Sequence, residues 1–321
     1  MRTLVVGAGA IGGYFGGRLL AAHQDVTFLV RPRRAQQLAA SGLAIRSRFG
    51  DVSIPDPPTV LKENLHQPFD LILLSCKSYG LDDAVASFAP AVGPGTVILP
   101  LLNGMRHLDV LDERFGSTRV LGGWCLIAAT LNEQHQIVHL NDTHNLSFGE
   151  RDGSPSSRAD AIAAMLSSAR FESRLSQTIL HEMWEKWAFI ASGAGLTCLM
   201  RASVGDIVTA GAADLAITLL NECAAIATQA GFPPREPAIQ RSRAMLTQPR
   251  SDLTASMLRD IERGAAIEAD HVIGDLLRRA TEGSVSTPLL RVAYAHLKAY
   301  EARRARETSL AEKAPSSPAT K

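Results

Sequence analysis

Short apolar runs separated by segments of helical spacing dominate the first half of the chain. Four runs are rich in Val, Ile, Leu and Phe: residues 4–6, 26–30, 69–76 and 96–100. A helical pattern follows each of the first three. Runs without polar alternation are typical of parallel strands buried on both faces. Their alternation with helices predicts an α/β fold built on a doubly wound parallel sheet of the Rossmann type.

Weaker strand signals fill the rest of the first half. Residues 43–58 predict a short hairpin around Gly50 and Asp51, followed by a proline-rich loop. Residues 119–148 are strand-like, with Asn and Asp turns between the strands. A predicted helix over 158–169 and a strand over 172–175 close this domain.

The pattern changes near residue 179, where helical spacing replaces the apolar runs and continues to about residue 301. Such a change indicates a domain boundary. We predict a dinucleotide-binding domain over 1–176, an all-helical domain over 177–303 and a disordered tail over 304–321, where Arg, Glu, Ala, Ser and Pro dominate. Apolar faces on helices over 214–230 and 269–277 would allow homodimer contacts.

A glycine-rich turn follows the first apolar run. Gly7, Gly9 and Gly12 stand at the spacing G-x-G-x-x-G, with Ala10 and Ile11 between them. Glycines there allow a tight turn and a close approach of backbone N–H groups to a pyrophosphate at a helix N-terminus. The motif alone is weak, but here a predicted strand precedes it and a predicted helix follows it. The sequence therefore predicts dinucleotide binding.

The residue after the second apolar run indicates which dinucleotide is bound. An acidic residue there would accept a hydrogen bond from the ribose 2′-hydroxyl of NAD, whereas an arginine would pair with the 2′-phosphate of NADP. Arg31 stands at this position, with Arg33 and Arg34 close behind. We therefore predict NADP, while Arg33 and Arg34 also fit a solvated basic turn.

Polar residues also follow the third and fourth runs. Lys77 and Asn103 come just after the predicted strands, and ligands of open α/β sheets collect at the carboxyl ends of strands. Lys77 would contact cofactor or substrate, or else be a surface lysine at a helix entry. Asn103 would bind a ligand, or else form an Asx turn with Gly104.

Composition excludes several other classes of function. The formal net charge is +1, which gives no reason to invoke nucleic acid or an anionic membrane. The four cysteines lack a C-x-x-C pair, and His135, His139 and His144 lack the H-E-x-x-H arrangement, so we predict no metal site. No segment predicts a membrane span, and glycines interrupt the apolar N-terminus that superficially resembles a secretory signal. We expect a soluble cytoplasmic protein.

The first helix of the second domain carries Glu182 and Lys186, which are four residues apart. By spacing alone, their default interpretation is an intrahelical ion pair worth about 0.2–0.5 kcal/mol. Nothing in the local pattern by itself assigns chemistry to Lys186.

Taken together, these motifs resemble the ketopantoate reductase family. The resemblance is carried by the glycine loop, by Arg31 and by four further segments: Ser75-Cys76-Lys77, Leu102-Asn103-Gly104, Glu182 through Lys186, and Ala255 through Asp270. It implies an NADPH-dependent enzyme of pantothenate biosynthesis that reduces 2-dehydropantoate, a small 2-keto acid. It also implies a Rossmann domain and a helical domain, with the active site between them.

The resemblance also implies roles for individual residues. Lys186 matches the general-acid lysine that protonates the ketone oxygen, and Glu268 matches the acidic residue that holds a substrate hydroxyl. Ser256 matches the serine that meets the substrate carboxylate. Asn103 and Lys77 match residues that line the site near the nicotinamide.

One departure from the family pattern bears on the substrate. The family usually has asparagines four and eight residues after its lysine, whereas this chain has Ile190 and Ala194. A site that loses such hydrogen-bonding groups discriminates differently among substrates. The alternatives are a reductase of a more apolar keto acid or keto amide, and an NADP-binding sensor or regulatory protein without turnover.

The spacing of Ser256 and Glu268 makes a geometric prediction. The two are twelve residues apart, which on one straight helix is about 18 Å. That distance is too long for both side chains to reach one small keto acid. Either the chain bends between them, with Gly264 as the candidate, or only one contacts the substrate directly.

Overall fold

In the computed structural model, which describes residues 1–313, the chain forms two units, Met1–Met183 and the part from Trp184 onward. The first unit contains a parallel five-stranded sheet in the order β5-β2-β1-β6-β7. Its strands are β1 (Thr3–Val6), β2 (Val26–Leu29), β5 (Thr59–Val60), β6 (Leu71–Leu74) and β7 (Val97–Pro100). This confirms the predicted α/β fold with a Rossmann-type sheet.

The same unit contains the first five helices, α1 (Ala10–Ala21), α2 (Pro32–Ser41), α3 (Leu81–Phe88), α4 (Arg106–Phe115) and α5 (Ser157–Ser167). Helix α1 packs closely on the sheet because it is rich in glycine. A Cβ on Gly16 would lie 2.6 Å from the Phe28 ring, and one on Gly17 would lie 2.8 Å from Leu43. Both distances are shorter than van der Waals contact, so a larger residue at either position would require Phe28 or Leu43 to move.

A second sheet in the first unit was not anticipated as a separate sheet. It has the order β10-β9-β3-β4, and a further strand, β8, pairs with β9. Its strands are β3 (Leu43–Arg46), β4 (Val52–Ile54), β8 (Gly122–Leu131), β9 (Ile137–Gly149) and β10 (Glu172–Leu175). The antiparallel β3–β4 pair is the predicted hairpin. The predicted strands over 119–148 and 172–175 belong to this sheet.

The second unit is helical, as predicted. Helix α6 (Ile179–Met200) begins before the boundary between the units and continues past it. The other helices are α7 (Val204–Thr209), α8 (Ala213–Gln229), α9 (Glu236–Leu246), α10 (Ser256–Glu262), α11 (Asp275–Glu282) and α12 (Pro288–Lys313). A π-helix, Asp270–Gly274, directly precedes α11. The prediction of one continuous helix over 269–277 was therefore wrong, because its first part is a π-helix.

Two predicted boundaries differ from the structure. The units divide between Met183 and Trp184, seven residues after the predicted boundary at 176, because α6 extends across the change in pattern. The tail prediction began too early, since α12 continues to Lys313. Arg, Glu, Ala and Lys are good helix formers and extend the helix beyond 303. Residues 314–321 of the predicted tail lie outside the described residues.

Within residues 1–313 no helix is both long and apolar enough to cross a membrane.

Candidate active site

The strands of the parallel sheet end at one level, which brings several predicted site residues to the same edge. The last residue of β1, Val6, lies opposite Leu29 of β2 and Leu74 of β6, and Leu74 lies opposite Pro100 of β7. The segments that leave this edge carry Gly7, Arg31, Lys77 and Asn103. This carboxyl edge is where ligands bind in open α/β sheets.

The glycine loop has the geometry that a dinucleotide cradle requires. Gly7 has a φ of +93°, which favours glycine. A Cβ on Gly12 would lie 2.1 Å from both the Gly7 carbonyl oxygen and the Ser75 Oγ, so α1 packs against the strand only because this side chain is absent. A Cβ on Gly9 would meet no atom within 4 Å. Gly9 thus presents open backbone at the N-terminus of α1, which begins at Ala10 and Ile11, and these residues fit a pyrophosphate.

Ser75 fixes this loop, although sequence reasoning gave it no role of its own. Its hydroxyl donates to the Val6 carbonyl at 3.0 Å and lies 3.4 Å from the Gly7 carbonyl oxygen. These contacts join the end of β6 to the start of the glycine loop. The only signal in the sequence was that a serine directly follows a buried strand. Serine is common at strand ends, so this signal is weak.

Arg31 is solvent-exposed and lies just before α2, two residues after the end of β2. Its Nη2 pairs with Oδ2 of Asp83, in α3, at 2.6 Å. This hydrogen bond and the guanidinium charge hold the pKa of Asp83 below its usual value. A pair this exposed contributes little stability, about 0–1 kcal/mol. The guanidinium is therefore oriented at the sheet edge without being buried there.

Arg34 has a different environment from its neighbours. Its Nε donates to the carbonyl of Ala8, inside the glycine loop, at 3.0 Å. Partial burial lowers the pKa of its guanidinium. The solvated-turn alternative was therefore wrong for Arg34, which supports the loop, whereas Arg33 is exposed.

Lys77 and Asn103 lie where their spacing predicted, after β6 and β7. Lys77 is exposed and immediately precedes a short 3₁₀ turn, Ser78–Gly80. Asn103 is half-buried and precedes Gly104, whose φ of +76° makes the local turn. Their contact with a cofactor or substrate stays a prediction.

Glu182 lies in the first unit, buried near the start of α6, and binds several side chains of the same unit. Its carboxylate accepts from Arg174 at 2.6 and 3.0 Å, from the Ser176 hydroxyl at 2.6 Å and from the Trp124 indole at 3.1 Å. Burial raises the pKa of this carboxyl, but the hydrogen bonds outweigh burial and lower the pKa overall. Glu182 therefore ties the beginning of α6 to β8 and β10.

Lys186 lies one turn further along α6 and is half-buried. Ile190, four residues on, is also half-buried, and Ala194, eight residues on, is 4% exposed. Residues at this spacing share one face of a helix. Lys186 thus heads a stripe that is otherwise apolar.

Ser256 and Glu268 stand on separate elements of the second unit. Ser256 is the exposed first residue of α10, and Glu268 is half-buried just before the π-helix. Helix α10 ends at Glu262, and Gly264 follows with a φ of +65°. Of the two alternatives, the structure shows the bend at Gly264, so the straight-helix separation does not apply.

Hydrogen bonds join both of these segments to α6. The backbone N–H of Ala255, next to Ser256, donates to the Thr197 hydroxyl at 3.3 Å. The indole N–H of Trp187, next to Lys186, donates to the Val272 carbonyl at 2.8 Å. Both segments are therefore bonded to α6, the Glu268 segment beside Lys186 and the Ser256 segment eleven residues further along the helix.

The three histidines considered as metal ligands have other surroundings. His144 Nδ1 and the Tyr14 hydroxyl are 2.7 Å apart, and His139 lies 2.9 Å from the Ser47 hydroxyl. His135 is 3.0 Å from the side-chain amide of Gln37. Among residues 1–313 no three His, Cys, Asp or Glu side chains are grouped as a metal site.

Two family models match the chain. The model for ketopantoate reductase PanE/ApbA matches residues 3–153, and the model for the C-terminal part of the same family matches residues 178–301. The first range lies within the first unit. The second range lies almost entirely within the second unit.

Individual relatives agree with the family models. The chain is 37% identical to the uncharacterized oxidoreductase YkpB of Bacillus subtilis, over 94% of this chain and 99% of the relative. A crystal structure of 2-dehydropantoate 2-reductase from Methylococcus capsulatus superimposes with a TM-score of 0.84 at 26% identity, covering 95% of this chain and 98% of that one.

A ternary structure of D-mandelate dehydrogenase with NADH and anilino(oxo)acetate superimposes with a TM-score of 0.85, covering 95% of this chain and 99% of that one. At 22% identity that likeness shows the fold alone. The two-part family match and the long alignment with YkpB are stronger. This chain therefore belongs to the ketopantoate reductase family and is an oxidoreductase.

Proposed function

We propose that this protein is an NADPH-dependent reductase of a small 2-keto acid, either 2-dehydropantoate or a related compound. The observation that carries the proposal is the match of both parts of one reductase family to this chain. Lys186, Ser256 and Glu268, the residues for which the resemblance implies catalytic and substrate-binding roles, all fall within the second matched range. The pathway implied for 2-dehydropantoate as substrate is pantothenate biosynthesis.

In this proposal the carboxyl edge of the parallel sheet binds the cofactor. Backbone N–H groups at Gly9, Ala10 and Ile11 would hold the pyrophosphate, because a helix N-terminus favours an anion. Arg31 would pair with the 2′-phosphate, because its planar guanidinium forms bidentate bonds to phosphate oxygens. Asp83 supports this role by orienting the guanidinium beforehand. The choice of NADP over NAD rests on Arg31 alone.

Lys186 is the proposed general acid. Bound NADPH would supply the hydride that adds to the ketone carbon. The Lys186 Nζ donates a proton to the ketone oxygen as negative charge develops there, so that the product is a 2-hydroxy acid. Before transfer, the ammonium charge stabilises the same oxygen.

Ser256 and Glu268 would orient the substrate around that ketone. The Ser256 hydroxyl would donate to the substrate carboxylate, and the Glu268 carboxylate would accept a hydrogen bond from a substrate hydroxyl. Asn103 and Lys77 would line the site near the nicotinamide. Holding a reacting carbonyl in one orientation supplies a large part of the rate enhancement of many enzymes.

The substrate is the least specified part of the proposal. Ile190 and Ala194 share a helix face with Lys186 and offer no hydrogen-bonding side chain there. An apolar substrate group on that side would need no hydrogen-bond partner. A substrate hydroxyl there would find no partner on Ile190 or Ala194 and would gain no binding free energy from them. Both 2-dehydropantoate and more apolar 2-keto acids are therefore candidates.

The test is a screen of cofactor oxidation at 340 nm. Purified protein would be mixed with NADPH or NADH and with 2-dehydropantoate, unbranched and branched aliphatic 2-keto acids, or aromatic 2-keto acids. We expect NADPH oxidation with at least one 2-keto acid and a lower kcat/KM with NADH. Tight NADPH binding by fluorescence, with no oxidation across the panel, would instead support the NADP-binding sensor.

Two further proposals concern the setting of the enzyme. We propose a cytoplasmic location, because NADPH and 2-keto acids are soluble metabolites, and a homodimer, because the second unit carries helices with apolar faces. Cell fractionation tests the first proposal. Light scattering during size-exclusion chromatography tests the second, and a mass of one chain at micromolar concentration would contradict it.

A further inference from the structure

Trp187 follows Lys186 directly and is 1% exposed. Its indole N–H donates to the Val272 carbonyl at 2.8 Å, across 85 residues of sequence. A buried indole N–H needs a hydrogen-bond partner, because leaving it unpaired costs free energy. The bond therefore fixes α6, at the position of Lys186, to the segment that contains Val272.

That segment is the π-helix Asp270–Gly274, in which the N–H of Asp275 bonds to the carbonyl of Asp270, five residues earlier. Single π turns are rare in proteins, and those that exist are often found at functional sites. Glu268 lies just before this turn, and its carbonyl accepts from the N–H of Val272 at 2.9 Å. The Val272 residue thus bonds to Glu268 through its N–H and to Trp187 through its carbonyl.

A second contact holds the same two elements together. The Arg279 guanidinium lies 5.7 Å from the ring centroids of both Trp184 and Trp187. Its Nε donates at 3.0 Å to Asp275, whose side chain is 1% exposed. Cation–π contacts of a desolvated arginine are stronger than those at an exposed surface. The π-helix and α11 are therefore clamped to α6 by one hydrogen bond and one shared cation.

We propose that Trp187 is a positioning residue, which holds the Glu268 segment in fixed register with Lys186. The inference rests on the proposed function, since it assumes that Lys186 and Glu268 act on one substrate. A phenylalanine would fill most of the same space but would lack the N–H, so packing alone does not require tryptophan. The hydrogen bond to the π-helix is what connects the two residues that must reach opposite parts of a small keto acid.

The test compares Trp187→Phe with Trp184→Phe. Trp184 is a matched control, because it is buried on the same helix and contacts Arg279, but its ring stacks on Phe232. We expect Trp187→Phe to lower kcat/KM for the keto acid by about tenfold, the equivalent of one buried hydrogen bond. The KM for NADPH should change less than twofold in both variants, because the proposed cofactor residues lie in the first unit.

A double-mutant cycle separates positioning from general destabilisation. If Trp187 acts through Glu268, Trp187→Phe should have little further effect on kcat/KM once Glu268→Gln is present. Multiplicative effects of the two substitutions, in an active wild type, would overturn the inference while leaving the proposed function intact. A wild type without turnover would overturn both.

A second variant covers the case in which Trp187→Phe does not fold. Arg279→Leu removes the shared cation but keeps the indole hydrogen bond. We expect a drop of about threefold in kcat/KM for the keto acid, the lower end of a cation–π contribution, with NADPH binding unchanged. Hydrogen exchange over residues 268–274 should also be faster than in the wild type. Faster exchange over residues 268–274 with an unchanged kcat/KM in Arg279→Leu would overturn the inference, because the segment would then have loosened without any effect on turnover.

Discussion

The glycine loop and the group of Lys186, Ser256 and Glu268, called here the Lys186 set, are built in opposite ways. The loop is contiguous in sequence, and its geometry follows from backbone conformation and from the absence of side chains at Gly7, Gly9 and Gly12. The Lys186 set spans residues 186 to 268, and two hydrogen bonds from α6 hold its segments. Local sequence specifies the first region, whereas packing within the second unit places the segments of the second.

The contrast has consequences for how each region responds to substitution. In the loop, adding one methyl group should have a large effect. At Gly12 the methyl group would collide with the protein, and at Gly9 it would occupy space that a ligand needs. In the second unit, the effect of a substitution should depend on which partner the residue holds. Three predictions test this difference, in order of decreasing effect, and a fourth and smaller one concerns a histidine outside both regions.

Lys186→Ala should have the largest effect. We expect kcat for the keto acid to fall about a thousandfold, within the range of general acid catalysis. NADPH affinity, measured by fluorescence titration of the same variant, should stay within about twofold because the proposed cofactor residues are elsewhere. Full turnover by this variant would remove Lys186 from the mechanism.

Gly9→Ala and Gly12→Ala form a matched pair in the loop. A Cβ on Gly9 meets open space, so Gly9→Ala should fold normally yet raise the Kd for NADPH by about a hundredfold, because the cofactor approaches there. A Cβ on Gly12 meets backbone and Ser75, so Gly12→Ala should cost about 1–3 kcal/mol of folding stability. Thermal unfolding and NADPH titration of both variants distinguish the two roles. Normal NADPH affinity in Gly9→Ala would contradict the cradle.

Arg31→Ala should change cofactor preference. We expect the Kd for NADPH to rise about thirtyfold, the cost of losing charge-assisted hydrogen bonds to a phosphate, with the Kd for NADH nearly constant. Arg33→Ala is the control, because Arg33 is an exposed neighbour in the same turn. Equal losses of NADPH and NADH affinity in Arg31→Ala would refute its pairing with the 2′-phosphate.

The smallest predicted effect concerns pH. Burial and the neighbouring charges of His139 and Arg18 lower the pKa of His144, whereas Glu172 acts in the opposite direction. Tyr14 hydrogen-bonds the same ring. The unfolded state therefore binds a proton at higher pH than the folded state. The stability that neutral His144 contributes is fully present above its unfolded pKa of 6.5 and is lost as pH falls through the lower folded value.

We expect the Tm of the wild type to decrease by a few degrees more than that of His144→Gln between pH 7.5 and pH 5.5, about one unit either side of an ordinary histidine pKa. Differential scanning fluorimetry of both proteins at the two pH values measures this difference. Parallel decreases in the two proteins would show that His144 does not contribute to the acid sensitivity.

Some features were predictable because the physical cause lies within a few neighbouring residues. Continuous apolar runs predicted the four parallel strands that begin near Thr3, Val26, Leu71 and Val97. The bend at Gly264 was predictable because glycine readily adopts a positive φ. The helical domain followed from the change in spacing near residue 179.

Other features depended on distant partners and were not predicted. Glu182 had been interpreted as one half of a pair with Lys186, but its carboxylate binds Arg174, Ser176 and Trp124. For Arg34 a solvated basic turn was one of two open interpretations, but the residue bonds to the glycine loop. The residues at 304–313 continue α12, although their composition is typical of a tail.

The sequence by itself determined the α/β class, the glycine motif after the first strand and the arginine after the second, because each depends on local spacing. It also determined the family, through motifs spread over nearly the whole chain. Only the tertiary structure decided which side chains support these groups. Ser75 and Arg34 hold the glycine loop, Glu182 anchors α6, and Trp187 reaches the π-helix beside Glu268. Hydrogen bonds across tens of residues leave no periodic pattern in a sequence, so packing alone reveals them.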